Sequence, residues 1–174
     1  TSVTLDLDFN HPVTCLAWTV HNGAATASGA TAVAGYGKRE PFDFRGRPLQ
    51  NSSGSRVDYI ESLATTNPVS LKLNNQNRFS TDHKAEYYRL VQPYQHFNRI
   101  PRKGNQIYCY SFAQSPTNWC QPTGHLNFSR IDNARMTLNL SGQVNGDTAT
   151  VSVMALNLNV IRFSGGLGGV RYSA

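Results

Sequence analysis

The chain has 174 residues and a formal net charge of +6, and its charged residues make up only 15% against roughly 25% in an average soluble protein. One domain with a sizeable core fits that length, and no apolar run approaches the ~18 residues of a membrane helix. With 16 Asn, 15 Ser and 14 Thr, neutral polar groups must cover the surface, which suits a turn-rich all-β scaffold better than a helical enzyme.

In chain order, Val3, Leu5, Leu7 and Phe9 alternate with Thr4, Asp6 and Asp8, the pattern of a half-buried strand. His11-Pro12 breaks it, and residues 13–20 form a second strand carrying Trp18. Asp6 and Asp8 share a face and could hold a cation, but a hard cation wants about six oxygens. Pairing with an Arg on a neighbouring strand, or simple solvation, accounts for them more easily.

From 21 to 67 the pattern dissolves into a long insertion loop, in which Arg39, Arg45 and Arg47 interleave with Phe42 and Phe44. Loops of this length are often functional. Asn51-Ser52-Ser53 is a glycosylation sequon, and Asn127 and Asn139 also fit the pattern from within expected strands. Val69, Leu71 and Leu73 then alternate, and Asn74 to Asn77 supply a turn. Thr81-Asp82 can cap one short helix with Ala85, Tyr88 and Val91 on its inner face, ended by Gln92-Pro93. Tyr87, Tyr88 and Tyr94 would pack over the open end of a sandwich or lie at a subunit contact.

Residues 106–114 place Tyr108, Tyr110 and Phe112 opposite Ile107, Cys109 and Ser111, which predicts a central strand covered on both faces. Trp119 lies in the loop that follows, where folding back as a cover is the simpler expectation than anchoring a partner. Gln121, Pro122 and Gly124 open a turn, residues 125–131 read as extended, Asp132-Asn133 turns again, and Met136, Leu138 and Leu140 mark one face of the next strand. This reads as a hairpin, not a catalytic loop. Asn145-Gly146 signals another turn, before a long strand with a bulge near Met154-Ala155. Gly165-Gly166-Leu167-Gly168-Gly169 has neither the helix nor the acidic residue of a dinucleotide loop. It leaves a close backbone crossing or a subunit-contacting tail.

No carrier of catalysis emerges. The five histidines are dispersed, with no metal-binding pair. Cys15, Cys109 and Cys120 lack a CxxC spacing and read as free thiols, and a Cys109, Cys120 and His125 zinc set would be nonspecific. No cofactor or metal is expected. The positive charges are scattered, and the tightest cluster is Arg99, Arg102 and Lys103. No direct nucleic-acid contact is therefore expected. From composition and pattern alone, the fold is an antiparallel β-sandwich of the jelly-roll kind with one short helix.

The stretch Gln121, Pro122, Gly124, then Asn127, Phe128, Ser129, Arg130, Ile131, Asp132 and Asn133, resembles the signature of the major capsid proteins of large icosahedral double-stranded DNA viruses, phycodnavirus and mimivirus relatives among them. Phe9-Asn10-His11-Pro12, Gln92-Pro93-Tyr94, Ile107 to Phe112 and the Gly-rich end are similar to the same family in the same order. The resemblance implies the C-terminal jelly roll of a double jelly-roll subunit, with residues 1–174 as one domain and the N-terminal jelly roll absent. Thr1 in place of an initiating Met fits a fragment or processed product.

It further implies a virion structural protein that forms pseudo-hexagonal homotrimers, contacts neighbouring capsomers and minor capsid proteins, and leaves contact with an internal membrane open. The 23–67 loop would be exposed and the 92–104 segment would lie near a neighbour. Competing readings are a carbohydrate-binding jelly roll using Trp18, Trp119 and the tyrosines, and a nucleic-acid-binding β domain.

Overall fold

The computed structural model describes residues 1–22, 62–79, 83–101, 106–141 and 149–172. The sequon at Asn51, the Arg-aromatic stretch, the Thr81-Asp82 cap, Arg102, Lys103 and the Asn145-Gly146 turn lie outside these residues.

Alternating apolar residues give the expected strands, and the strands form two principal antiparallel sheets. The first has the order β1 (Ser2–Asp6), β7 (Ala134–Asn139), β3 (Val69–Leu73), β4 (Gln76–Phe79). In the second, β2 (Pro12–Asn22) pairs with β5 (Ile107–Ser111), β6 (Leu126–Asn127) and β8 (Ala149–Asn157). Val69, Leu71, Met136 and Leu138 from the first sheet meet Leu16, Trp18 and Val20 from the second in one buried core. Both sheets thus bury one apolar face against the other, the arrangement of a β-sandwich.

β2, rather than β5, is the central strand. Tyr108 and Cys109 are buried on opposite faces of β5 as expected, but β5 pairs only with β2 among the described strands. Its Ser111 N–H instead donates to the buried Gln92 Oε1 at 3.0 Å. The bulge also lies on β2. Val13 opposes Asn157 and Cys15 opposes Leu156, leaving Thr14 as the extra residue, and the Thr14 hydroxyl donates to the Leu156 carbonyl at 3.0 Å. β8 keeps Val151, Val153 and Ala155 in a single phase against the core, so no bulge occurs at Met154-Ala155.

Three further expectations are revised. Helical structure does not stop at Gln92-Pro93: a π-helical turn, Tyr87–Val91, leads into α1 (Gln92–His96) with Pro93 in its first turn. The Gln92 N–H reaches back five residues to the Tyr87 carbonyl, and Pro93 at a helix start loses no intrahelical bond. The wider turn also brings Arg89 and Gln92 inward beside Tyr88, and turns Val91 outward. The 21–67 loop is shorter than expected at both ends. His21 and Asn22 belong to β2. Ser62 and Leu63 are buried, with Leu63 bridging Leu140 and the Ser62 N–H donating to Gln106 Oε1 at 2.7 Å. Finally, residues 161–170 form a hairpin of β9 (Ile161–Ser164) and β10 (Leu167–Val170), described below.

The helical turn closes the core with aromatic rings. Tyr88 lies 5.5 Å from Trp18 and 5.4 Å from Phe79 between ring centroids, and Trp18 stacks on Tyr108 at 6.1 Å. Tyr94 takes no part in this closure and is exposed.

Candidate functional site

The stretch from Gln121 to Asn133 is a bracket between the sheets. A hairpin would keep both arms in one sheet, yet β6 pairs with β2 while β7 pairs with β1 and β3. The hairpin expectation fails because a 3-10 turn, Phe128–Arg130, interrupts the extended segment and carries the chain across the core. Phe128 drives the crossing. Its buried ring packs edge-on against Phe9 at 5.9 Å and Phe112 at 6.2 Å.

Side chains of the bracket, and one that reaches it from outside, hold specific backbone groups. Asn127 Oδ1 accepts the Ser129 N–H at 3.1 Å and so caps the 3-10 turn. Ser129 Oγ accepts the His11 N–H at 2.9 Å, and the His11 carbonyl accepts the Phe128 N–H at 3.1 Å. His11 has φ 70, a left-handed conformation that costs a non-glycine residue about 1 kcal/mol or more, and these two bonds hold it there. At the far end, the Asp132 and Asn133 N–H groups both donate to Asn74 Oδ1, at 3.0 and 3.2 Å. Asn74 and Asn75, at φ 47 and 65, form the tight turn between β3 and β4.

The opening turn is fixed as firmly. Gly124 has φ 148, and a Cβ there would sit 3.0 Å from the Phe112 carbonyl oxygen, so only glycine fits. Thr123 Oγ1 accepts the Ser115 N–H at 2.8 Å, and the Gln121 N–H reaches Asn118 Oδ1 at 3.3 Å. Pro122 and Arg130 are exposed. Of the expected residues, Gln121, Gly124, Asn127, Phe128, Ser129, Asp132 and Asn133 therefore take part in one fastening, with Pro122 and Arg130 on its surface. Asn74 and His11 are legible in the sequence as a turn and a strand break but not as partners of the bracket, because those bonds join segments far apart in sequence.

This bracket also shapes a groove of about 410 Å³, lined by Asp6, Asp8, Asn10, Ser129, Asp132 and Arg135 among others. Asp6 accepts the Arg135 Nε–H at 2.8 Å, the cross-strand pairing anticipated for it. Among the described residues no group of three or more His, Cys, Asp or Glu side chains could hold a metal ion. Cys15 and Cys109 are buried and Cys120 is exposed, with no disulfide among them. Burial pushes the Cys109 thiol up to about 12, with neighbouring Cys15 adding to the rise; burial also raises Cys15. Trp119 is 55% exposed and does not fold back as a cover. Among the described residues the geometry offers an internally braced scaffold with exposed surfaces.

Comparison with known proteins agrees. Residues 1–169 match the family model described as large eukaryotic DNA virus major capsid protein. The chain is 42% identical to the major capsid protein of Phaeocystis pouchetii virus, an alignment covering 87% of this chain and 33% of that one. It is 34% identical to the major capsid protein of Paramecium bursaria Chlorella virus 1, covering 99% of this chain and 43% of the relative. The chain thus spans less than half the length of these relatives. Among solved structures, PBCV-1 VP54, fitted into a reconstruction of the virophage Sputnik, superposes with TM-score 0.67 at 28% identity, over 100% of this chain and 46% of that one. The Faustovirus major capsid protein, at 13% identity and TM-score 0.60, shares the fold. The antiparallel sandwich is accordingly a viral jelly roll.

Proposed function

The chain belongs to the major capsid proteins of large eukaryotic DNA viruses, and from that premise we propose that it is the C-terminal jelly roll of a double jelly-roll subunit, which forms homotrimers that tile an icosahedral shell. It is a capsid structural protein, not an enzyme. The observation that carries the reading is the bracket. A signature that reads from sequence as a hairpin is spent on locking two sheets together, as a rigid tile requires.

Rigidity matters because a shell is built from many weak contacts repeated by symmetry, and each contact counts only if the surfaces keep their shape. Neighbouring capsomers and minor capsid proteins are the partners this role implies, with the virion shell as its location. Electron microscopy of the complete subunit tests the proposal. Particles with a hexagonal outline are expected; single, uniformly small particles would overturn it.

Trp119 favours one competing reading, since an exposed indole suits a sugar ring. Saturable glycan binding by a monomer, lost in Trp119→Ala, would move the assignment to a carbohydrate-binding module.

A further inference from the structure

Among the described strands, β9 and β10 pair only with each other. Gly165 and Gly166, at φ 61 and 79, make the two-residue turn that matches strand twist, and Phe163 lies over Gly168, where a Cβ would come within 2.7 Å of the ring. The ribbon is therefore well formed, but every residue of both strands is exposed, Phe163 at 80%. A two-stranded ribbon alone is marginal in water. Its base is tied down by Leu158 N–H to the Pro12 carbonyl at 2.8 Å and Asn159 Nδ2 to the Tyr172 carbonyl at 2.8 Å.

Its two faces differ. Ile161 pairs with Val170 and Phe163 with Gly168, so these share one apolar face. Arg162 falls on the other face beside the exposed Leu167, and Arg171, whose N–H donates to the Val160 carbonyl just beyond the ladder and whose guanidinium lies 5.7 Å from the Tyr172 ring, starts from that face. The two guanidinium stems start about 7 Å apart along the ribbon. Residues 158–172 contain no Asp or Glu.

The complementary surface lies on the same molecule. Of the described carboxylates, Asp6, Asp8 and Asp132 line one open groove. Arg135 engages Asp6, which leaves the exposed Asp8 and Asp132 with no cation beside them among the described residues. The ribbon thus carries two arginines and the groove two carboxylates, none of them in an ion pair among the described residues.

We propose that the β9–β10 ribbon is an intersubunit arm that lies in the groove of a second copy, with Arg162 and Arg171 on Asp8 and Asp132 of that copy. Its apolar face is closed in where the two copies meet. Because arm and groove are different patches, the contact is head-to-tail and closes into a ring under cyclic symmetry. The inference rests on the assembly reading above and adds the surface that performs it.

The test uses the complete subunit. Reversing both arginines (Arg162→Asp with Arg171→Asp) should raise the concentration at which the oligomer dissociates by about tenfold or more. Adding Asp8→Arg and Asp132→Arg should restore it. Mixing a copy carrying Arg162→Cys with a copy carrying Asp8→Cys, both in a Cys120→Ser background, should give a disulfide-linked dimer on oxidation that neither copy gives alone. An oligomer unmoved by the reversals and yielding no mixed disulfide would overturn the arm. A wild-type subunit that is monomeric would instead overturn the assembly reading beneath it. All substituted residues are exposed, so an unchanged circular dichroism spectrum separates lost contact from lost fold.

Discussion

Phe128 is the residue on which the crossing between sheets depends. Truncating it removes a buried ring from between Phe9 and Phe112, so Phe128→Ala should cost about 3–5 kcal/mol in urea unfolding. Ser129→Ala should cost about 1 kcal/mol by freeing the His11 N–H, and a second substitution, His11→Gly, should recover part of that loss by relieving the left-handed φ. No recovery would mean that His11 is not strained. The thiols give a pH-dependent check. The folded Cys109 pKa stands above its unfolded value of about 9, so the unfolded chain loses this proton first as pH rises. Its contribution is complete below pH 9 and declines towards pH 12, and Cys109→Ala should flatten that part of the stability profile. At neutral pH, an alkylating reagent should label Cys120 and spare Cys15 and Cys109 until the chain unfolds.

At the scale of elements, the helical turn and β5 form one unit through Gln92. Replacing it by Ala leaves the Ser111 N–H on β5 without its acceptor, which should cost about 1–3 kcal/mol, whereas Tyr94→Ala, on an exposed side chain, should leave stability of the isolated subunit nearly unchanged. Calorimetry on both variants checks the contrast. Strand positions were largely legible, because alternation at Val3 to Leu7, Val69 to Leu73 and Met136 to Leu140 is a local pattern set by which face is buried. Partners were not. Leu126 and Met136 are ten residues apart and look like two arms of a hairpin, but their pairing depends on Val13 and on β1 and β3, distant in sequence. Pro93 misled for a related reason: proline ends a regular helix in its interior, and the π-helical turn that makes it a helix start has no sequence period of its own. Ser62 and Leu63 were hidden in an aperiodic stretch, and partners distant in sequence, Gln106 and Tyr108 for Ser62 and Leu140 for Leu63, hold them in place.

For the whole molecule, the family was legible in the bracket residues before any geometry was, while their task was not. Asn127, Ser129 and Asp132 read as part of a family signature in a hairpin, and only the fold shows their hydrogen bonds to His11, within the 3-10 turn and to Asn74. An internally braced sandwich with an exposed ribbon is the form expected of a tile that presents its contacts at its margins. Hydrogen exchange on the assembled subunit should protect residues 161–170 relative to a dispersed, arginine-reversed variant, while β2 and β8 stay protected in both. All of these contacts presuppose a subunit that assembles with copies of itself. The most direct measurement is the mass of the complete subunit in solution by light scattering: a stable species of three times the subunit mass is predicted, and a monomer at every concentration would contradict the account.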